Sequence, residues 1–232
     1  KMNTIYHKSV MLEEAVQGLK IDPDGVYVDV TFGGGGHSRA ILQKLSESGR
    51  LMAFDQDLEV LQNEIIDDRF QLIRGNFSHF NQYLKFHGIS TVDGILADFG
   101  VSSHQFDTAN RGFSTRLEGP LDMRMNAQNP LSAYKVINEY SLEKLQGIFR
   151  AYGELRIAKK LAYIIVTKRS QSPIKSTQAL VDLLAPSLPK NIFNKIIAQV
   201  FQAIRIEVNA EMDVIKLFLE QSVKALNRGG RL

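Results

Sequence analysis

The stretch Tyr27-Val28-Asp29-Val30-Thr31-Phe32-Gly33-Gly34-Gly35-Gly36-His37-Ser38 decides how this chain is read. An apolar, β-branched run leads into four consecutive glycines, and a helix-forming segment, residues 38–45, follows. Glycine lets the backbone turn sharply and lets a ligand touch the main chain, while a helix N-terminus offers unpaired N–H groups to an anion. Four glycines in a row cost much conformational entropy, so something must come close to the main chain there. The pattern is that of a first strand, a ligand-binding turn and a first helix.

Outward from this segment the alternation continues. Apolar runs at 26–30, 51–54, 70–74 and 94–97 are separated by helical stretches at 38–45, 58–66 and 79–86, the last stopped by Gly88. Strand–helix–strand alternation predicts an α/β fold with a parallel sheet covered on both faces. Ahead of the first strand, Leu12, Ala15, Val16 and Leu19 form one face of a short helix with Ser9 as its cap. Beyond residue 105 the character changes. Residues 106–129 are rich in Gly, Asp, Asn and Arg, and helices are predicted at 131–139, 142–152, 154–168, 177–184, 192–208 and 211–226. Met212, Ile215, Leu219, Val223 and Leu226 form the stripe of the last helix, and Gly229-Gly230 is its stop signal. Three segments follow from this reading: 1–105 and 196–232 belong to the sheet domain, and 106–195 is a helical insertion that binds substrate.

Composition narrows the function classes. With no Cys, the 232 residues exclude disulfides, thiolate metal sites and cysteine nucleophiles. The longest apolar run, residues 161–166, is far short of the roughly 20 residues of a membrane span. The first 20 residues carry Glu13 and Glu14 and no apolar signal region, so a cytoplasmic protein is expected. A net charge of +3 favours an anionic partner only weakly.

Asp55, closing the second strand 20 residues past Gly35, is placed to accept two hydrogen bonds from a ribose diol, which implies a nucleoside ligand. A dinucleotide fingerprint would need its third glycine at position 38, which is Ser38. S-adenosylmethionine carries no pyrophosphate and tolerates a looser glycine turn. Its adenine needs an apolar wall, which Phe77 after the third strand supplies unless it is a core aromatic. The fourth strand brings Asp98, Ser102, Ser103 and Gln105 to the same edge. A carboxylate at position 98 meets either the ligand's ammonium or an amine to be methylated. Amine methylation needs mainly an in-line lone pair and one acceptor for the departing proton.

Six blocks carry a family resemblance: residues 7–14, Asp29-Val30-Thr31-Phe32-Gly33-Gly34-Gly35-Gly36-His37-Ser38, 93–107, Arg111-Gly112-Phe113-Ser114, 119–125 and 201–209. In this order they resemble the bacterial small-subunit ribosomal RNA cytosine-N4 methyltransferase family over nearly the whole chain. The resemblance implies a class I, Rossmann-like S-adenosylmethionine-dependent methyltransferase sheet with an inserted α-helical domain. It implies methylation of a cytidine amine in the decoding region of the small ribosomal subunit. It also implies donor contacts at Gly35, Gly36, His37, Asp55, Phe77, Asp98 and Gln105, of which His37 and Gln105 come from the resemblance alone. Amine methyltransferases acting on DNA usually carry an Asp/Asn/Ser-Pro-Pro-aromatic motif, where this chain has Asp98-Phe99-Gly100-Val101, so a catalytic Asp98 is an inference.

For the RNA partner, residues 150–175 hold seven basic side chains against one acidic, a net +6 that suits a phosphate backbone as well as a solvated helix face. Lys159 and Lys160 are its centre. Arg111, Phe113 and Arg124 lie in the polar loop, where guanidinium and aromatic planes suit an unstacked base, although Arg124 is equally an ion-pair partner for Asp122. The oligomeric state is left open, with a dimer among the options. Competing functions are a non-catalytic adenosyl-ligand module and a nicotinamide-dependent oxidoreductase. In the implied fold the run at 94–97 is internal, yet its partner strand is expected only beyond Leu232. Its edge therefore needs that missing strand, another chain, a helix or a rearranged segment to cover it.

Overall fold

The computed structural model describes residues 10–232. The Ser9 cap and the first positions of the block at 7–14 lie outside the described residues. In chain order the elements begin α1 (Leu12–Gly18), β1 (Val26–Asp29), α2 (Gly36–Leu42), β2 (Arg50–Asp55), β3 (Phe70–Arg74), α3 (Phe80–Phe86) and β4 (Val92–Leu96). They continue with α4 (Ser103–Asp107), α5 (Ala133–Glu139), α6 (Leu142–Ala151), α7 (Ala158–Arg169), α8 (Thr177–Leu184), α9 (Phe193–Val208), α10 (Glu211–Ala225) and β5 (Leu226–Arg231). The chain forms two compact units, one of residues up to Ser103 together with Asp213–Leu232, the other of His104–Met212.

The first unit is an α/β domain around a five-stranded parallel sheet of order β3-β2-β1-β4-β5. Side chains alternate between its faces. Val28 and Val30 pack with Met52, Phe54, Ile73, Phe80, Val92 and Phe218, while Tyr27 packs with Val16, Leu19, Ile41, Leu51 and Leu96. Both faces are covered by helices, which is why the central strands β1 and β2 read as apolar runs rather than as alternating ones. The expected helix at 58–66 is instead a 3-10 segment, Leu58–Asn63. The Asp57 carboxylate accepts the Glu59 N–H at its first turn, and Ile66, at the end of the expected helix, is fully exposed.

The carboxyl-terminal segment departs most from expectation. The last helix ends at Ala225, and Gly229-Gly230 lies inside β5, which runs parallel to β4 and covers the edge left open in the sequence reading. Pairing runs from Val92 with Leu226 to Gly94 with Arg231, with a register irregularity between. Asp93 joins the three strands: one carboxylate oxygen accepts the Val26 N–H (2.8 Å), the other the Asn227 side-chain amide (2.7 Å). The buried stripe of α10 is Phe218, Ser222 and Ala225, at i, i+4 and i+7, whereas Leu219 and Val223 are exposed. One aromatic ring on the sheet outweighs several aliphatics in choosing the buried face.

The second unit is helical. Ser132, Ser141 and Ser176 cap α5, α6 and α8, each accepting the backbone N–H three residues on. α9 packs against α5 and α6 through a face holding Ile196, Ile197, Val200, Phe201 and Ile204, so the helical unit extends to Met212 rather than to residue 195. The polar loop ahead of α5 is anchored within this unit. Asn209, just past α9, accepts the Met125 N–H and donates to the Met123 carbonyl (both 2.8 Å). Among the described residues no helix is long and apolar enough to cross a membrane.

Candidate active site at the carboxyl edge of the sheet

Because the strands are parallel, the ends of β1, β2, β3 and β4 meet at one edge. β1 delivers Asp29 and the glycine turn. Asp29 is fully buried; one oxygen accepts the Ser38 hydroxyl (2.7 Å), the other the Thr31 N–H (3.0 Å). Burial raises its carboxyl pKa despite those bonds. Ser38, where a dinucleotide fingerprint has glycine, thus fills the helix–strand contact with a bonded hydroxyl. Gly33 and Gly35 have left-handed φ values of 50° and 74°. At Gly35 a Cβ would stand 2.9 Å from the Phe32 ring and 2.8 Å from the Arg39 guanidinium, so what approaches this glycine is the protein's own packing. His37 is buried, with its Nε2 3.2 Å from the Val10 carbonyl, a tie to the segment ahead of α1.

Asp55 ends β2 facing the glycine turn. Its two oxygens accept the backbone N–H groups of Gly33 and Asp57, both at 2.9 Å. Burial pushes its carboxyl up to about 6; the two N–H donors offset part of this, and the Asp57 and Asp29 carboxylates add to it. A carboxylate has about four acceptor sites, so each oxygen keeps capacity for a ribose hydroxyl.

After β3, the Asn76 side chain caps a short turn by accepting the Ser78 N–H, setting Phe77 at the edge. Phe77 is half-buried, and its ring lies 5.6 Å from Phe99 and 5.4 Å from the buried Phe218. The aromatic-wall and core-residue readings therefore both describe it: one side anchors in the core, the rest borders the edge. After β4, Asp98 is exposed and its backbone N–H donates to the Thr31 hydroxyl (2.7 Å). The edge thus supplies a diol acceptor and an aromatic wall, which fit the ribose and adenine of S-adenosylmethionine, and an exposed carboxylate that can meet either the donor's ammonium or an amine to be methylated. Sequence reasoning passed over Asp29 and Thr31. The signal for them is an acid and a hydroxyl residue two apart at the end of a buried strand.

The remaining expected residues belong to the helical unit. Gln105 is buried in α4. Arg111 donates to the Arg124 and Met125 carbonyls (3.0 and 3.3 Å) and lies 5.9 Å from the ring of Phe113, which is itself buried. Arg124 pairs with Asp122 through two bonds, 2.9 and 2.7 Å, and donates to the carbonyls of Ala127 and Asn129. Asp122 is held below the usual carboxylate range: burial raises it, but the bonds from Arg124 outweigh burial. Of the two readings of Arg124, the internal ion pair is the one formed. Lys159 and Lys160 are exposed on α7, Lys160 reaching the Ser187 carbonyl (3.0 Å). Arg169 turns inward to the Ile137 and Tyr140 carbonyls and is withdrawn from the basic face.

Comparison with known proteins gives the same picture. A model described as the MraW methylase family matches residues 4–232. Proteins named ribosomal RNA small subunit methyltransferase H from Christiangramia forsetii and Flavobacterium johnsoniae are each 56% identical, over 98% and 97% of this chain. One from Bacteroides fragilis (strain YCH46) is 48% identical over 99% of the chain. This chain spans 75% of the length of each of these relatives. An edge built for a nucleoside donor and a match over nearly every residue lead to one assignment: the chain belongs to the MraW methylase family.

Proposed function

We infer that this chain is an S-adenosylmethionine-dependent methyltransferase acting on the N4 amine of a cytidine in small-subunit ribosomal RNA, in the cytoplasm. The observation that carries the reading is the shared edge, where Asp55, Phe77 and Asp98 stand within one folded unit of a MraW-family chain. The bound donor would supply an electrophilic methyl group. Asp55 accepts the ribose hydroxyls, Phe77 walls the adenine, and Asp98 accepts an N–H of the target amine, aiming the nitrogen lone pair and taking up the proton the amine sheds. Gly35, Gly36 and His37 shape the turn against which the donor rests, while Arg111, Phe113 and Arg124 serve the substrate by holding their loop rigid. Incubation with labelled donor and small ribosomal subunits lacking the modification should place the label in N4-methylcytidine. Label in another nucleoside, or none, overturns the reading.

The ionised Asp55 is the better acceptor for a ribose diol, so donor affinity should fall as pH drops through about 6, by up to about tenfold per pH unit. The sign for the free protein is opposite. A carboxyl raised on folding from 3.8 to about 6 holds its proton more tightly when folded, so this group costs stability increasingly as pH rises across that window. Calorimetric titration of the donor from about pH 5 to about pH 8 checks the first effect. Asp55→Ala should weaken binding by about 1–3 kcal/mol and flatten the profile.

The exposed basic residues of the helical unit are proposed to track the RNA backbone. Replacing Arg156, Lys159, Lys160 and Lys168 with Gln should reduce the slope of log affinity against log salt by about 0.7 for each phosphate that the protein no longer neutralises. Arg169 is kept, because its bonds to Ile137 and Tyr140 make it part of the fold. An unchanged slope places the RNA on another face.

A further inference from the structure

We propose that Thr31 is a positioning residue for methyl transfer: its hydroxyl, tied to the buried Asp29, fixes where the Asp98 carboxylate stands. The inference rests on the reading of Asp98 given above. The β1–β4 ladder ends with the Val30 N–H donating to the Leu96 carbonyl at 2.9 Å. In an evenly spaced parallel ladder the next rung would carry the Asp98 N–H to a β1 carbonyl. It runs to the Thr31 side chain instead, at 2.7 Å. A side-chain acceptor lets the main chain leave the sheet at Ala97 while Asp98 stays held, so an exposed residue outside the last strand rung has a fixed origin.

The hydroxyl is itself held. Thr31 Oγ1 lies 3.5 Å from Asp29 Oδ1, the oxygen that accepts the Thr31 N–H, and Asp29 Oδ2 takes the hydroxyl of Ser38 in the first turn of α2. One buried carboxylate therefore ties the glycine turn to Asp98, two residues past the end of β4. The two halves of the site, donor side and amine side, keep their spacing through this link. A shift of about 1 Å in a reacting group costs up to about 100-fold in rate.

Thr31→Val keeps shape and volume but removes the acceptor, and Thr31→Ser keeps the hydroxyl. With small ribosomal subunits lacking the modification, Thr31→Val should lower kcat by about 30-fold with the subunit KM within about threefold, and Thr31→Ser should restore kcat to within about threefold of the parent. Donor affinity of Thr31→Val, read by calorimetry, should fall no further than in Asp98→Ala. Thermal melting identifies a folded variant, and Thr31→Ala takes the place of Val if Val melts early. Parent-like turnover in Thr31→Val beside an inactive Asp98→Ala overturns the positioning role alone. Equal losses in the Val and Ser variants overturn it as well, by making the effect steric. Parent-like turnover in Asp98→Ala overturns the reading of Asp98 and the inference with it.

Discussion

Asp98→Ala is expected to lower methyl transfer to small-subunit RNA by about 100-fold or more, the range of a positioned proton acceptor. Stability should stay within about 0.5 kcal/mol of the parent, as for other exposed substitutions. The split follows from the structure. The Asp98 side chain is exposed, while the contact that anchors the residue is its backbone N–H to Thr31, which alanine retains. The variant should therefore melt like the parent while losing turnover. Steady-state kinetics with saturating donor, beside a melting curve, checks both. Parent-like turnover would make Asp98 a structural residue.

Gly112→Ala is expected to destabilise the protein by about 2–4 kcal/mol, combining backbone strain with a steric clash. Gly112 holds φ at 71°, and a Cβ there would stand 2.2 Å from the Pro120 carbonyl oxygen and 3.0 Å from the Asp122 nitrogen. Neither neighbour can yield cheaply, because both are backbone and Asp122 is committed to Arg124. The melting temperature should drop by about 5–15 °C at this chain length. Gly147→Ala is the matching control: nothing lies within 4 Å of the added carbon in α6, so it should stabilise by up to about 1 kcal/mol. A Gly112→Ala protein that melts like the parent would mean that the 111–124 loop is not rigid.

The central sheet was legible because a strand buried on both faces must be apolar throughout: the run at 51–54, buried at every position, falls inside β2, while the edge strand β3 could still be placed from Phe70, Leu72 and Ile73 although Gln71 and Arg74 are exposed. β5 was not legible. Leu226-Asn227-Arg228-Gly229-Gly230-Arg231 has no apolar run and two glycines, and its place is set by pairing with β4 and by the Asp93–Asn227 bond, both far off in sequence. Acid and glycine positions of the site could be read from spacing, since they sit at strand ends. The fate of the basic residues could not. Arg124 and Arg169 look like nucleic-acid contacts in sequence, yet their partners are carbonyls and a carboxylate that only folding brings near.

The insertion of His104–Met212 between β4 and β5 has a consequence for synthesis. A ribosome adding about 5–20 residues per second releases β4 and then spends about 5–20 s on the helical unit before β5 emerges. Throughout that interval the nascent chain carries four strands with the β4 side unsealed, the very row of amides and carbonyls that neighbouring nascent chains can pair with. Translation speed through the insertion, and chaperone occupancy while it lasts, should therefore govern how much active protein a cell obtains, independently of how stable the finished molecule is.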